Sequence, residues 1–506
     1  MYTFVYGETT LGLEGVLVTV EIDISNGLPA FEIVGLANIA VKEARERVRA
    51  AIKNSGFDFP IARITVNLAP ADLKKEGSGL DLAIAIGILK ASGQITQEHL
   101  ANKIFLGELA LNGIIRATNG VLCMAMHAQT QKIEEIYLAG ACAAEACLVS
   151  ELQVYAPENL KQLVEHLNQV AILPKVEKLT SSSKVKSARL DFADVRGQIM
   201  AKRALEIAAA GGHNLLLVGP PGSGKTMLAK RLPSILPELS EQEALEVTKI
   251  YSVAGLIRDN QGLIKERPFR SPHHTISIGG LIGGGKIPKP GEVTLSHNGV
   301  LFLDEILEFP KAALEVLRQP LEDRQVNIAR VQASIVYPAN FLLLGSANPC
   351  PCGFCGYETS TQVCRCRPHE IEAYQKKISG PLLERLDLQV NVPRVDYQDL
   401  QGVAGESSDS IQTRVQLARS KQLQRFSGQK IYTNAQMSAS QVRTYCQLDT
   451  TGKKLLQQVF TSLNLSARSY DKILKVARTI ADLAEQENIQ ALHIAEAIQL
   501  RTNVIK

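Results

Sequence analysis

Apolar and polar residues alternate at Val16, Val18, Val20 and Ile22, the period of a half-buried strand. The spacing then changes. Over roughly 40–55, Val41, Ala44, Val48, Ala51 and Ile52 share one helical face, and Lys, Arg and Glu take the other. Residues 64–68 read as a further strand, and the turn Glu76-Gly-Ser-Gly79 leads into an apolar helix. These elements predict an α/β domain at the N-terminus. Farther along, three short apolar runs at 214–218, 300–303 and 341–344 suit buried parallel strands. The last segment has few Gly or Pro and returns to helical spacing, as at Ile473, Val476, Ala477 and Ile480, which predicts a small helical bundle.

Residues 174–190 interrupt this pattern with five Lys/Arg, three successive serines and an opening Pro, the composition of a solvated linker. A second polar stretch lies at about 400–410. The expected organisation is therefore a domain at 1–173, a linker at 174–190, a core at 191–399 and a helical domain at 400–506. About three domains also suit a chain of 506 residues.

Net charge is +4, so no global basic excess announces a nucleic-acid partner. The charge is uneven, however. Residues 1–173 hold 13 Lys+Arg and 19 Asp+Glu, net −6, and residues 174–506 hold 42 and 32, net +10. That asymmetry permits a polyanion partner for the second part. The longest apolar stretch, Leu82–Leu89, is far short of the ~20 residues that span a bilayer. With no basic and apolar leader at the N-terminus, no membrane association and a cytoplasmic location are expected.

The run at 214–218 is followed by Gly219, Pro220, Pro221, Gly222, Ser223, Gly224, Lys225, Thr226 and Met227, a full P-loop opening a helix. Glycines let successive N–H groups face a phosphate, and the helix N-terminus adds a positive dipole. Lys225 is placed for the β/γ-phosphates of ATP and Thr226 for Mg²⁺. The strand at 300–303 ends in Asp304, suited to the Mg²⁺ shell, and Glu305, suited to polarise an attacking water. The strand at 341–344 runs into Gly-Ser-Ala-Asn348, whose amide can orient water or sense the γ-phosphate. Arg385 and Arg468 carry guanidinium groups able to stabilise phosphoryl charge, although spacing alone does not select them.

Five of nine cysteines, Cys350, Cys352, Cys355, Cys364 and Cys366, fall within 17 residues. In a reducing compartment such a cluster reads as metal binding. Two Cys-x-Cys pairs suit a structural, tetrahedral Zn²⁺ held by Cys350, Cys352, Cys364 and Cys366, with Cys355 spare or alternate.

The ordered set resembles AAA+ ATPases, and within them the magnesium-chelatase-like branch and the bacterial ComM/YifB family. The residues that carry the resemblance are Asp194-Val-Arg-Gly-Gln198, Arg267-Pro-Phe-Arg-Ser-Pro-His-His-Thr275, Gly291 through Glu305, Ala347-Asn-Pro-Cys-Pro-Cys-Gly353 and Val476 through Leu483. The resemblance covers essentially the whole chain. It implies a P-loop α/β/α core, a C-terminal helical lid and a homo-hexameric ring with ATP between subunits. It also implies that Arg385 is a finger entering the neighbour's site, and that Arg468 is a sensor 2 acting on its own subunit's nucleotide. The implied activity is DNA unwinding and branch migration during natural transformation, on single-stranded and branched DNA, with recombination proteins as candidate partners. The Gly279–Gly285 stretch resembles a pore-facing, flexible helix-2 insert, and 326–337 suits the hairpin before the sensor strand. Lys286, Lys289 and Arg330 in these elements are candidate DNA contacts. His273 and His274 stand between a phosphate contact and loop packing, and no metal is assigned to them.

Residues 1–173 resemble the Lon-protease-like domain (ribosomal protein S5 domain 2-like). Lon-type proteolysis needs a Ser nucleophile, but Gly79 stands at that position and Ser78 is one residue early. A non-proteolytic scaffold or DNA-guiding domain is expected; its net charge of −6 argues against broad DNA binding, and the plain reading of Lys74-Lys75 is a solvated loop. Two other functions compete: a chelatase-type motor that remodels a metal-insertion partner, and a nucleotide-controlled scaffold. The chelatase subunit lacks a Lon-like domain, and the intact catalytic set argues against lost hydrolysis.

Overall fold

The computed structural model describes residues 1–35, 39–72, 75, 77–97, 100–177, 190–257, 262–285, 288–330, 333–359, 362–395, 405–462 and 466–501. The chain forms two compact units. One joins Met1–Lys184 with Glu241–Ile264, and the other joins Val185–Ser240 with Lys265–Lys506.

The first unit is built on β1 (Tyr2–Leu11), β2 (Glu14–Ser25), β3 (Ala30–Val34), β4 (Arg63–Ala69), β5 (Lys103–Phe105), β8 (Glu135–Tyr137) and β9 (Gln153–Tyr155), in the order β3-β4-β2-β1-β5-β8-β9; β6 (Glu108–Leu109) and β7 (Ile115–Arg116) form a separate small hairpin. β1, β2 and β4 pair antiparallel, and β5, β8 and β9 are parallel. The alternation at Val18, Val20 and Ile22 puts all three side chains in the core. Helix Asp81–Ala91 is apolar on every side and is buried except at Lys90. Its one buried charge, Asp81, is paired with Arg47 at 2.7 Å. Lys75 is buried too, its ammonium donating to the Pro70 carbonyl, so it is not the solvated charge expected. Ser78 donates to the Glu108 carboxylate.

Helix Glu241–Ala254 follows the P-loop in sequence, yet it packs in this first unit against helix Val121–Thr130. The buried Glu145 carboxylate accepts from the Leu122 amide at 2.6 Å and from the Ser252 hydroxyl. The Gly120 amide donates to the Ser252 carbonyl at 3.0 Å. A buried carboxylate needs such donors, and they fix where this helix lies.

The second unit has a five-stranded parallel sheet of β10 (Leu215–Val218), β11 (Phe269–Arg270), β14 (Val300–Leu303), β17 (Leu342–Ala347) and β18 (Leu388–Asn391), ordered β11-β14-β17-β10-β18. All residues of β10, β14 and β17 are buried, as continuous apolar runs require of central parallel strands. Two short hairpins complete the strands, β12 (Gly283–Gly284) with β13 (Lys289–Pro290), and β15 (Gln325–Arg330) with β16 (Ala333–Pro338). The second matches the hairpin expected over 326–337. The Gly-rich stretch is more ordered than expected: Ile278–Ile282 is a short helix whose N-cap Ser277 accepts from the Gly280 amide, and β12 follows directly. Helices Ser408–Arg425, Ala439–Tyr445, Thr450–Ser462, Ala467–Leu483 and Ala491–Gln499 follow the sheet. Ile473, Val476, Ala477 and Ile480 line the inner face of one of them, in one core cluster with helix Ile199–Gly211 and the sheet. Among the described residues, no helix is long and apolar enough to cross a membrane.

Candidate nucleotide site and cysteine cluster

Because the five strands are parallel, their C-terminal ends converge on one side, the usual ligand side of such sheets. β10 leads there into the P-loop. Gly222 and Gly224 have φ of +75° and +91°, a left-handed backbone that glycine adopts without a Cβ penalty. The Lys225 ammonium lies within the loop and donates to the carbonyls of Gly219 at 2.7 Å and Pro220 at 2.9 Å, and to Asn348 Oδ1 at 3.2 Å. Burial lowers its pKa, opposed by Asp304 and Glu305. Thr226 Oγ1 donates to Asp304 Oδ2 at 2.9 Å. The hydroxyl and carboxylate that would hold Mg²⁺ therefore already converge. Met227 sits in the first turn of helix Lys225–Arg231, its side chain 38% exposed.

Ser346 joins the two halves of the acidic pair. Its hydroxyl donates to Asp304 Oδ1 at 2.5 Å and accepts from the Glu305 amide at 2.9 Å. Glu305 itself has a φ of +52°. Gln198 Nε2 donates to Ser223 O at 3.2 Å and Pro393 O at 2.5 Å, tying the start of helix Ile199–Gly211 to the P-loop and to the end of β18. The Tyr374 phenol is pushed up by burial and by the nearby carboxylates of Glu308 and Glu305.

The sulfurs of Cys350, Cys352, Cys364 and Cys366 all lie within 4.8 Å of one another, and Cys355 is outside the group. Sγ–Sγ separations are 3.3 Å for Cys350–Cys352, 3.8 Å for Cys350–Cys364 and 3.6 Å for Cys352–Cys364. Tetrahedral zinc with bonds of about 2.3 Å needs sulfurs about 3.8 Å apart, so the set fits. The Cys355 amide donates to Cys350 Sγ at 3.4 Å, a peptide contact rather than a ligand contact. Burial raises the Cys352 thiol, but amide donors at Phe354 and Arg365 and the neighbouring thiols outweigh it and bring it down to about 6. The knuckle also touches the P-loop: Gly353, at φ +86°, lies so close that a Cβ would meet Pro221 Cδ at 2.5 Å.

The two arginines are brought together, away from Lys225. Arg385 Nη1 donates to Pro381 O at 2.7 Å, Nε to Arg318 O at 3.1 Å, and Nη2 pairs with Glu322. Arg468 lies 3.7 Å from Glu322 and 3.8 Å from Glu384. Lys289 is exposed on β13. Lys286 and the Arg330 side chain lie outside the described residues. His273 and His274 stack at 4.1 Å between ring centroids, and His273 Nδ1 bonds Thr275 Oγ1 at 2.9 Å.

Residues 191–400 match the family model described as magnesium chelatase, subunit ChlI, residues 405–501 match its C-terminal model, and residues 20–141 match a model described as subunit ChlI of Mg-chelatase. Competence protein ComM of Haemophilus influenzae is 44% identical over 505 residues, covering 99% of this chain and 97% of that one. Uncharacterized protein YifB of Escherichia coli is 41% identical over 501 residues, with coverage of 99% and 97%. The chain belongs to the ComM/YifB family, within the magnesium-chelatase-like AAA+ proteins.

ComM/YifB relatives span both units. Some similarities are partial: Lon protease 2 of Bacillus subtilis is 30% identical over 180 residues, 34% of this chain and 32% of its own. This ComM/YifB member also has site residues that sequence patterns did not single out. Ser346 had a signal, a hydroxyl inside a fully buried strand, which needs a partner. Gln198 had little, since its two carbonyl partners come from distant parts of the chain.

Proposed function

We propose that this protein is an ATP-driven ring motor on DNA, a homo-hexamer that unwinds or translocates strands and promotes branch migration in homologous recombination during natural transformation. The observation that carries the ATPase part is the convergence of Lys225, Thr226, Asp304 and Asn348 at one end of a parallel sheet. In this reading Lys225 neutralises the β/γ-phosphates, and Thr226 with Asp304 holds Mg²⁺. Glu305 polarises the attacking water and Asn348 orients it. Bound Mg²⁺ supplies charge neutralisation on the phosphoryl oxygens. Arg385 reaches the neighbouring subunit's nucleotide, and Arg468, which shares Glu322 with it, works from the same face. The four cysteines hold a structural zinc beside the P-loop. Lys286, Lys289 and Arg330 track the phosphate backbone without reading sequence. Residues 1–173 form a non-proteolytic, Lon-like domain, and the C-terminal helices form the lid.

The DNA part is supported by the full-length relative named a competence protein. A chelatase-type motor is the second reading, favoured by the descriptions of the family models. Against it, the similarity to the magnesium-chelatase 67 kDa subunit of Chlorobaculum parvum covers 31% of this chain, whereas ComM covers both units. The deciding experiment measures ATP turnover with and without single-stranded and branched DNA, together with strand displacement and branch migration. DNA-stimulated turnover with unwinding is expected. Absence of both would reject the helicase reading. A Glu305→Gln variant should bind ATP and form rings yet fail to hydrolyse.

A further inference from the structure

Arg385 lies in the turn that enters β18, and its backbone is gripped from the strand that leads to the P-loop. Asn214 immediately precedes β10. Its Nδ2 donates to the Arg385 carbonyl at 3.1 Å, and its Oδ1 accepts from the Leu343 amide at 2.8 Å. Its own amide donates to Asp387 Oδ2 at 3.1 Å, and its carbonyl accepts from the amides of Asp387 at 2.8 Å and Leu388 at 3.0 Å. The backbone bonds and the bond to Leu343 join β10 to its neighbours, which any strand start requires. The bond to the Arg385 carbonyl is different: it leaves the sheet and fixes the peptide from which the guanidinium pivots.

β10 is four buried residues, Leu215–Val218, with Asn214 at one end and Gly219 of the P-loop at the other. At about 3.3 Å per residue the strand is roughly 13 Å long and moves as one piece. One short strand thus carries the phosphate loop of its own subunit and the grip on Arg385. We infer that Asn214 is a positioning residue for Arg385: it sets how the finger leaves the subunit and lets a shift of the P-loop strand reach it. This rests on the reading that Arg385 acts on the neighbour's nucleotide.

The variant that isolates the grip is Asn214→Asp. It keeps an oxygen for the Leu343 amide and removes the donor to the Arg385 carbonyl. On the full-length protein, kcat for ATP should fall about tenfold, with KM within about twofold, a change of about 1.4 kcal/mol and of the size expected for one lost hydrogen bond. The distinctive readout is a mixture with Lys225→Ala subunits, which hold an intact finger but a disabled P-loop. Restored turnover in that mixture is expected, because the Asn214→Asp subunit's own P-loop then faces a well-placed Arg385. A parallel mixture of Arg385→Ala with Lys225→Ala tests the underlying reading. If the Arg385→Ala mixture recovers and the Asn214→Asp mixture does not, Asn214 acts within its own subunit and the proposal fails. If neither recovers, the trans reading fails and takes the proposal with it. Should Asn214→Asp lose its thermal transition or its ATP binding, Asn214→Ser replaces it. Loss of fold in both would make Asn214 a framework residue and overturn the proposal.

Discussion

Arg385 and Arg468 share one carboxylate: Glu322 pairs with Nη2 of the first and lies 3.7 Å from Nη2 of the second. Their location follows from strand direction. β18 runs parallel to β10 with Leu388 opposite Leu215, so Arg385, just before β18, sits at the N-terminal end of the sheet. The P-loop follows Val218 at the other end. Glu322 brings Arg468 to the same end as Arg385. The resemblance implied that Arg468 serves its own subunit's nucleotide, and this placement favours the neighbour's instead. Arg468→Ala subunits should therefore behave like Arg385→Ala subunits. Each alone should bind ATP and turn over at least about tenfold more slowly, and each should regain turnover when mixed with Lys225→Ala. A silent Arg468 mixture beside a recovering Arg385 mixture would return Arg468 to a role within its own subunit.

Ser346 holds both Asp304 and the Glu305 peptide, so its removal should affect hydrolysis more than binding. A hydrogen bond to a charged group is worth about 1.5–3 kcal/mol, which corresponds to roughly 10–100-fold in rate. Ser346→Ala should lose about that much kcat with ATP affinity near wild type. Ser346→Thr, which keeps the hydroxyl, should recover most of it. Equal losses in both variants would point to packing rather than to the hydroxyl.

How far these residues could be read from the chain depends on the range of their partners. The P-loop and the strand Val300–Leu303 are local patterns, a run of apolar residues followed by the chemistry itself, and they fold as spaced. The paired Cys-x-Cys spacing likewise separated Cys355 from the four grouped sulfurs. Helix Glu241–Ala254 has no such local mark. Which unit it joins is decided by Glu145, 107 positions before Ser252. Glycines at 279–285 suggested a flexible loop, but Gly283 is pressed against the Lys289 carbonyl, where a Cβ would lie 2.4 Å away. There glycine serves close approach and a backbone φ of +109° that other residues rarely adopt. Lys75 looked like a solvated charge because its partner, the Pro70 carbonyl, has no side-chain signature. Arg385 and Arg468 were named by resemblance alone, because any surface arginine has the same local pattern.

The cysteine geometry predicts about one zinc per chain in protein purified without chelators. Cys364→Ser should lower that content to below about 0.2, because three thiolates hold zinc poorly, and Cys355→Ser should leave it unchanged. Since Gly353 packs on Pro221, zinc loss should also weaken ATP binding. Elemental analysis and nucleotide titration of the same samples check both. Less than about 0.2 zinc in the wild-type protein would sink the metal assignment.

Asp387 predicts the response to acid. Its carboxyl is buried, which raises its pKa, but Lys472 at 2.6 Å and the nearby His213 outweigh that and hold it far below the usual carboxylate range. An unfolded Asp titrates near about 3.9. A depressed folded pKa contributes stability above the unfolded value and loses it as pH falls toward the folded one. The midpoint of thermal unfolding should therefore drop steeply below about pH 4. Asp387→Asn should be less stable at neutral pH by about 3–5 kcal/mol, because Lys472 is then left buried without its partner. Below about pH 4 the two proteins should draw together, because the unfolded wild-type chain takes up a proton there that the folded carboxyl still resists. Parallel melting curves that keep their separation down to pH 3 would assign the acid loss to other carboxylates.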